Sequence, residues 1–253
     1  MIMKTVFITG ASSGIGEACA RKFAEGGYTL LLNARNVERL TALKAELEST
    51  YHVEVVLLPF DVRDKAAAKA ALEKIDQRFQ SIDVLVNNAG LALGVDKEYE
   101  GDWTDYETMI DTNIKALLSI TQLVVPGMIA RGKGHIINIG SVAGDVAYPG
   151  GSVYCATKAA VKVLSDGLRM DLAHTPLRVT NIKPGLVETN FSVTRFHGDK
   201  ERADNVYKGI KPLTGADIAD VVFFAAGAPA HVQIAEVLVL ATHQASGTVV
   251  YRE

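Results

Sequence analysis

Alternation is the feature that most constrains this chain. Short runs rich in Val, Ile and Leu recur at 5–9, 29–32, 53–58, 84–86, 135–139, 179–182 and 237–240, with helical patterns between them. The runs show little polar alternation, which marks parallel strands covered on both faces. Leu40, Leu43 and Leu47 form an apolar stripe behind Asn36, a suitable N-cap, and Leu72, Ile75 and Phe79 form another. Longer helical segments span about 105–131, ending near Gly132, and about 152–172. Strands joined through helices imply right-handed crossovers and a doubly wound α/β sheet of about seven strands with helices on both faces. No repeat, low-complexity tract or Pro/Gly-rich linker interrupts the pattern, so residues 1–253 are expected to form a single domain.

Composition narrows the function classes. The formal net charge is −3, hydrophobic residues make up 48%, and no charged tail occurs, so neither nucleic acid nor a polybasic membrane role has support. Cys19 and Cys155 are too few for a disulfide framework. The opening residues 1–10 are too short an apolar run for a signal peptide and read as a strand. No stretch approaches the ~20 apolar residues of a membrane span, and a soluble cytoplasmic protein is expected. No metal site is expected.

The first strand runs into Thr9-Gly10-Ala11-Ser12-Ser13-Gly14-Ile15-Gly16 and then a helix. Glycines allow positive φ and close backbone approach, and the helix start offers unpaired N–H groups to a pyrophosphate. The spacing is G-x-x-x-G-x-G, not G-x-G-x-x-G, but its place after the first strand points to a Rossmann-type dinucleotide site. The second strand ends in Asn33-Ala34-Arg35, where NAD sites commonly carry an acidic residue. A guanidinium suits a 2′-phosphate, so NADP is favoured over NAD. After the third strand, Asp61-Val62 presents a carboxylate that either holds the adenine amino group or caps the next helix. After the fourth, Asn87-Asn88-Ala89-Gly90 combines small residues that let backbone pass a cofactor with amides that brace the neighbouring strand.

Tyr154 and Lys158 share one helix face at i and i+4, and Ser141 lies upstream at a strand end. A cation near the phenol lowers its pKa from the usual ~10, giving a group that exchanges a proton with an alcohol or carbonyl. Ser141 otherwise caps a turn, and Asn113, on the long helical segment, otherwise pairs with local backbone.

Together, T-G-x-x-x-G-I-G at 9–16, N-N-A-G at 87–90, Asn113, Ser141, Y-x-x-x-K at 154–158 and Pro184-Gly185 resemble the short-chain dehydrogenase/reductase family over nearly the whole chain. The resemblance implies that Tyr154 is the general acid/base and that Lys158 lowers its pKa and binds the nicotinamide ribose. It implies that Ser141 holds the reacting oxygen and Asn113 supports a proton relay. The cofactor-binding set it implies is Gly10, Ser12, Ser13, Gly14, Ile15, Arg35, Asp61, Val62, Asn88, Tyr154, Lys158, Pro184, Val187 and Thr189. The segment 184–189 would close over the nicotinamide. Family members commonly assemble as homotetramers through the two long helices, here about 105–131 and 152–172. Ile114, Leu117, Leu118, Val161, Val163 and Leu164 serve either core or interface.

A finer resemblance concerns substrate. The segments 88–94, 109–113, 134–141, 195–199 and 230–234 are similar to the NADP-dependent serine and 3-hydroxy acid dehydrogenase branch, with a looser match within 186–194 and beyond 235. That branch acts on serine, allo-threonine, 3-hydroxy acids, 3-oxo acids and malonic semialdehyde. The least regular, polar stretch, about 186–211, follows a strand end and is the candidate substrate lid. Arg195 within it is the candidate clamp for a substrate carboxylate, with a lid-surface ion pair as the bland alternative. The rival readings are a 3-oxoacyl thioester, sugar or steroid reductase with the same machinery, and an NADP-binding protein without turnover.

Overall fold

A computed structural model describes residues 4–253, which leaves the first three positions of the opening strand-like run outside it. In chain order the elements are β1 (Thr5–Ile8), α1 (Gly14–Glu25), β2 (Thr29–Asn33), α2 (Val37–Tyr51), β3 (Val55–Leu58), α3 (Lys65–Lys74), β4 (Ile82–Asn87), α4 (Trp103–Ile110), α5 (Leu117–Arg131), β5 (His135–Ile139), α6 (Ser152–Asp171), β6 (Arg178–Pro184), α7 (Phe191–Arg195), α8 (Lys200–Asn205), α9 (Gly215–Gly227) and β7 (Glu236–Val239). The strands form one parallel sheet in the order β3-β2-β1-β4-β5-β6-β7. Each of the seven expected runs is a strand in it.

Strand periodicity assigns the two cores. In β1, Val6 and Ile8 face α1, α2 and α9 with Phe23, Leu40, Leu47 and Ile218, while Phe7 faces the other layer with Ile120, Val124 and Met128. Both faces are apolar because both are covered, which is why polar alternation is missing from the sequence. The strand order reverses between β1 and β4, and ligands of open α/β sheets bind outside the carboxyl ends of the strands at such a point.

Several expectations change in detail. The Leu72–Ile75–Phe79 stripe is not one helix: α3 stops at Lys74, Ile75 is extended (ψ 147°), and Phe79 lies in a separate turn capped by Asp76. Asp76 accepts a bond from the Arg78 N–H, which competes with continuation of the helix. The 105–131 segment holds α4 and α5 joined by a wide turn of π type over Asp111–Ala116, which carries Asn113. Such turns recur at functional sites. By length and composition the span Trp103–Arg131 does reach what a bilayer crossing requires, contrary to the sequence reading, but half of its most apolar window is buried against the rest of the protein. The buried half, with Ile120, Val124, Val125 and Met128 of α5, packs into the core on one face of the sheet. The lid is more regular than expected, holding α7 and α8, helices too short to give periodicity. Helix α9, which the sequence reading did not single out, begins with a capping box between Thr214 and Asp217.

Candidate active site

The carboxyl ends of β1, β4, β5 and β6 open on a cleft of about 560 Å³. Its floor begins at the glycine loop. Gly10 and Gly14 have φ of +65° and +58°, values that side chains rarely adopt. A Cβ on Gly16 would run into the Gly10 carbonyl and the Asn88 amide, so the loop closes only with glycine there. Asn88 locks it from β4, its Nδ2 donating to the carbonyls of Thr9 (2.9 Å) and Gly10 (3.1 Å). Asn87 braces the other neighbour, donating to Asn138 Oδ1 at 2.9 Å. Ser13 stands at the N-cap of α1 without making a side-chain cap bond. The N–H groups of the first helical turn therefore stay available to an anion lying along the cleft. A glycine cradle and an uncapped helix start fit a dinucleotide's pyrophosphate.

At the inner end, Ser141, Tyr154 and Lys158 meet. Ser141 is held by β5 and accepts from the Ala143 N–H at 3.1 Å, so it does cap a turn, yet its hydroxyl also bonds the Tyr154 phenol. Lys158 is buried, its ammonium donating to the Ile139 carbonyl at 2.9 Å and lying 6.0 Å from the Tyr154 ring centre. Burial pushes the Lys158 ammonium down to about 8. Burial also raises the Tyr154 phenol well above the usual tyrosine value, opposed by the Ser141 hydrogen bond and by the Arg195 charge. The sequence reading expected the lysine to lower the phenol's pKa. In the folded protein desolvation outweighs that, and Ser141 and Arg195 supply the downward pull.

Asn113 stands behind the cleft wall. Its Oδ1 accepts from the Leu91 N–H (2.9 Å), and its Nδ2 donates to the Leu91 carbonyl (2.8 Å) and to Thr157 Oγ1 (3.0 Å). The amide is thus committed to the 88–91 loop and to α6, far along the chain rather than local. Gly90 sits between it and Lys158: a Cβ there would lie 3.1 Å from Asn113 Oδ1 and 3.4 Å from Lys158 Nζ.

The lid brings Arg195 to the same end. Its Nε donates to the Gly94 carbonyl (3.2 Å) and Nη1 to the Tyr148 hydroxyl (2.9 Å), and the Gly94 N–H returns a bond to the Arg195 carbonyl (2.9 Å). No carboxylate pairs with Arg195 among the described residues, and three of its five N–H donors remain. The guanidinium carbon is 5.9 Å from the Tyr154 ring centre. Pro184, Val187 and Thr189 line the roof, Thr189 packing against Gly14. Gln244, buried, accepts from the Leu186 N–H at 2.8 Å and fixes the start of the lid. Neither Tyr148 nor Gln244 stood out in the sequence, where nothing local links them to the site.

At the outer end, Asn33 turns inward and donates to the carbonyls of Leu58 and Phe60, both at 2.9 Å. Arg35 is left exposed at the rim, and Val62 lines it. Asp61 does not cap α3; Asp64 does, accepting from the Ala67 N–H at 2.9 Å. Asp61 instead binds Arg63, a residue the sequence reading passed over.

A glycine cradle, a buried Ser–Tyr–Lys cluster and a basic rim on one parallel sheet define a nucleotide-dependent oxidoreductase. The chain belongs to the short-chain dehydrogenase family, whose sequence pattern matches residues 4–200. It is 46% identical over 251 residues to the NADP-dependent 3-hydroxy acid dehydrogenase of Schizosaccharomyces pombe, covering 99% of this chain and 97% of that one. It is 44% identical to sulfoacetaldehyde reductase 2 of Chromohalobacter salexigens, covering 95% of both. A structure of serine dehydrogenase in closed form with NADP⁺ superposes with a TM-score of 0.92 at 43% identity, covering 98% of this chain and 100% of that one. This protein is an NADP-dependent short-chain dehydrogenase acting on CH–OH groups.

Proposed function

We propose that the enzyme interconverts the 3-hydroxyl and 3-oxo groups of a small hydroxy acid such as serine, allo-threonine or 3-hydroxypropionate/malonic semialdehyde. The observation that carries this reading is Arg195, a guanidinium without a carboxylate partner, facing the cleft beside Tyr154. A planar fork suits a carboxylate, and a fixed anion aligns the reacting carbon.

Gly10, Ser12, Ser13, Gly14 and Ile15 hold the pyrophosphate side of NADP, Arg35 the 2′-phosphate, and Asp61 and Val62 the adenine. Asn88, Pro184, Val187 and Thr189 bracket the nicotinamide side. When bound there, the nicotinamide would supply or accept the hydride. Ser141 holds the substrate oxygen, and Tyr154 donates its phenolic proton to that oxygen in reduction or accepts it in oxidation. Lys158 holds the ribose and, with an ammonium near 8, passes the proton outward. Asn113 ties the loop at Leu91 to α6, the helix that carries Lys158.

In the test, Arg195→Ala lowers kcat/KM for a 3-hydroxy acid by about 100-fold and leaves a neutral secondary alcohol within about threefold. Equal losses on both would refute the carboxylate clamp. The 44% identical sulfoacetaldehyde reductase favours a second reading, in which the same fork holds a sulfonate. A panel of serine enantiomers, 3-hydroxypropionate and sulfoacetaldehyde with NADP and NAD decides between them.

We further propose that 1–253 works as one catalytic domain within a cytoplasmic homotetramer. Val161 is core, whereas Val163 is 68% exposed, and Leu118 and Met170 also lie outward on the long helices, which supports pairing through α5 and α6. Two free cysteines, both buried, suit a reducing compartment.

A further inference from the structure

The outer rim holds three charges where a 2′-phosphate seat needs one. The Asp61 carboxylate lies within reach of two guanidiniums. Arg63 takes it as a fork: Nη2 donates to Oδ2 at 2.6 Å, Nε donates to Oδ1 and Oδ2 at 3.0 and 3.1 Å, and the Arg63 backbone N–H adds a bond to Oδ1 at 3.0 Å. Arg35 stays back, its Nη1 3.9 Å from Oδ2 and its side chain 68% exposed. A carboxylate without the Arg63 fork has Arg35 as its next partner. That pairing would spend the guanidinium on an internal anion and leave a negative charge beside an incoming phosphate, whereas the Asp61–Arg63 unit is close to neutral. Consistent with this, Asp61 is held below the usual carboxylate range chiefly by its Arg63 hydrogen bonds, with Arg35 the smallest contributor.

We propose that Arg63 is a cofactor-specificity residue that acts by positioning: it sequesters Asp61 so that Arg35 remains free for the 2′-phosphate of NADP. The inference rests on the assignment of Arg35 to that phosphate. It adds that discrimination between NADP and NAD depends on a side chain that need not touch the phosphate. A single charge at this rim therefore does not set the preference; the three-residue arrangement Arg35–Asp61–Arg63 does. The pairs are partly exposed, so their effect is modest and fades with salt.

The test is equilibrium binding of NADPH and NADH to the purified enzyme at low ionic strength, followed by nucleotide fluorescence, with no turnover involved. Arg63→Gln weakens NADPH about three- to tenfold and leaves NADH within about twofold. Asp61→Asn/Arg63→Gln restores the wild-type ratio of the two dissociation constants, because no carboxylate remains to capture Arg35. With Asp61 assigned to the adenine, which both nucleotides share, the double variant weakens both equally and the ratio is the readout. Equal weakening of both nucleotides by Arg63→Gln would mean that Arg63 only supports the loop, and overturns the proposal. Failure of the double variant to restore the ratio would mean that Arg63 meets the phosphate itself, and also overturns it. Arg35→Ala is the separate control: an unchanged NADPH preference there removes the underlying assignment, whereas a lost preference with a silent Arg63→Gln removes only the inference.

Discussion

Lys158→Met should stabilise the protein while abolishing its activity. Burial pushes the Lys158 ammonium from 10.5 down to about 8. Each unit is worth about 1.4 kcal/mol, so keeping the charged form in the fold costs about 3 kcal/mol below pH 8. Methionine fills similar volume without that penalty, but it leaves the Ile139 carbonyl without its 2.9 Å donor. Losing that bond costs about 1–2 kcal/mol, which leaves a net gain of about 1–2 kcal/mol and a Tm raised by about 3–6 °C near pH 7. The pH dependence is the diagnostic. The folded value lies below the unfolded one, so between about 8 and 10.5 the unfolded chain binds the proton that the folded chain has released, and wild-type stability rises with pH there. The methionine variant lacks this rise, so its advantage is full below pH 8, crosses zero near pH 9 and becomes a deficit of about 1–2 kcal/mol by about pH 10.5, where only the lost Ile139 bond still counts. Paired denaturant titrations of the two proteins from pH 7 to 10.5 measure it. An advantage that is constant across that range, or a variant less stable than wild type at pH 7, would refute the reasoning.

The Tyr154 phenol, held protonated by burial, should leave carbonyl reduction nearly level and make alcohol oxidation rise across pH 6–10, since reduction uses the phenol that is already present and oxidation needs the scarce phenolate. Initial rates in both directions across pH 6–10 check this, and Tyr154→Phe should lower both by about 10³ while NADPH still binds. Gly16→Ala should weaken NADPH binding and destabilise the protein by about 1–3 kcal/mol, because the new methyl meets the Gly10 carbonyl and the Asn88 amide, and calorimetry with nucleotide titration reads both.

The seven strands, the glycine loop and the Tyr154/Lys158 spacing were legible in the sequence because each is a local pattern. Burial on both faces writes itself into a strand as an unbroken apolar run, a cradle requires glycines, and a shared helix face requires a four-residue interval. The lid helices and the wide turn at Asp111–Ala116 left no such trace. They are short, or differ from their neighbours only in hydrogen-bond register.

What the sequence alone determined was the type of sheet, the glycine loop after its first strand and the helix face that Tyr154 and Lys158 share. Tertiary structure decided how those groups behave. It buried Tyr154 and Lys158 together, moving both pKa values against their charged forms. It committed the Asn113 amide to Leu91 and Thr157, brought Tyr148 and Arg195 together across 47 positions, and handed Asp61 to Arg63 rather than to Arg35. Burial and ion pairing depend on which distant segments meet, and those meetings are set only when the whole sheet and its helices have packed.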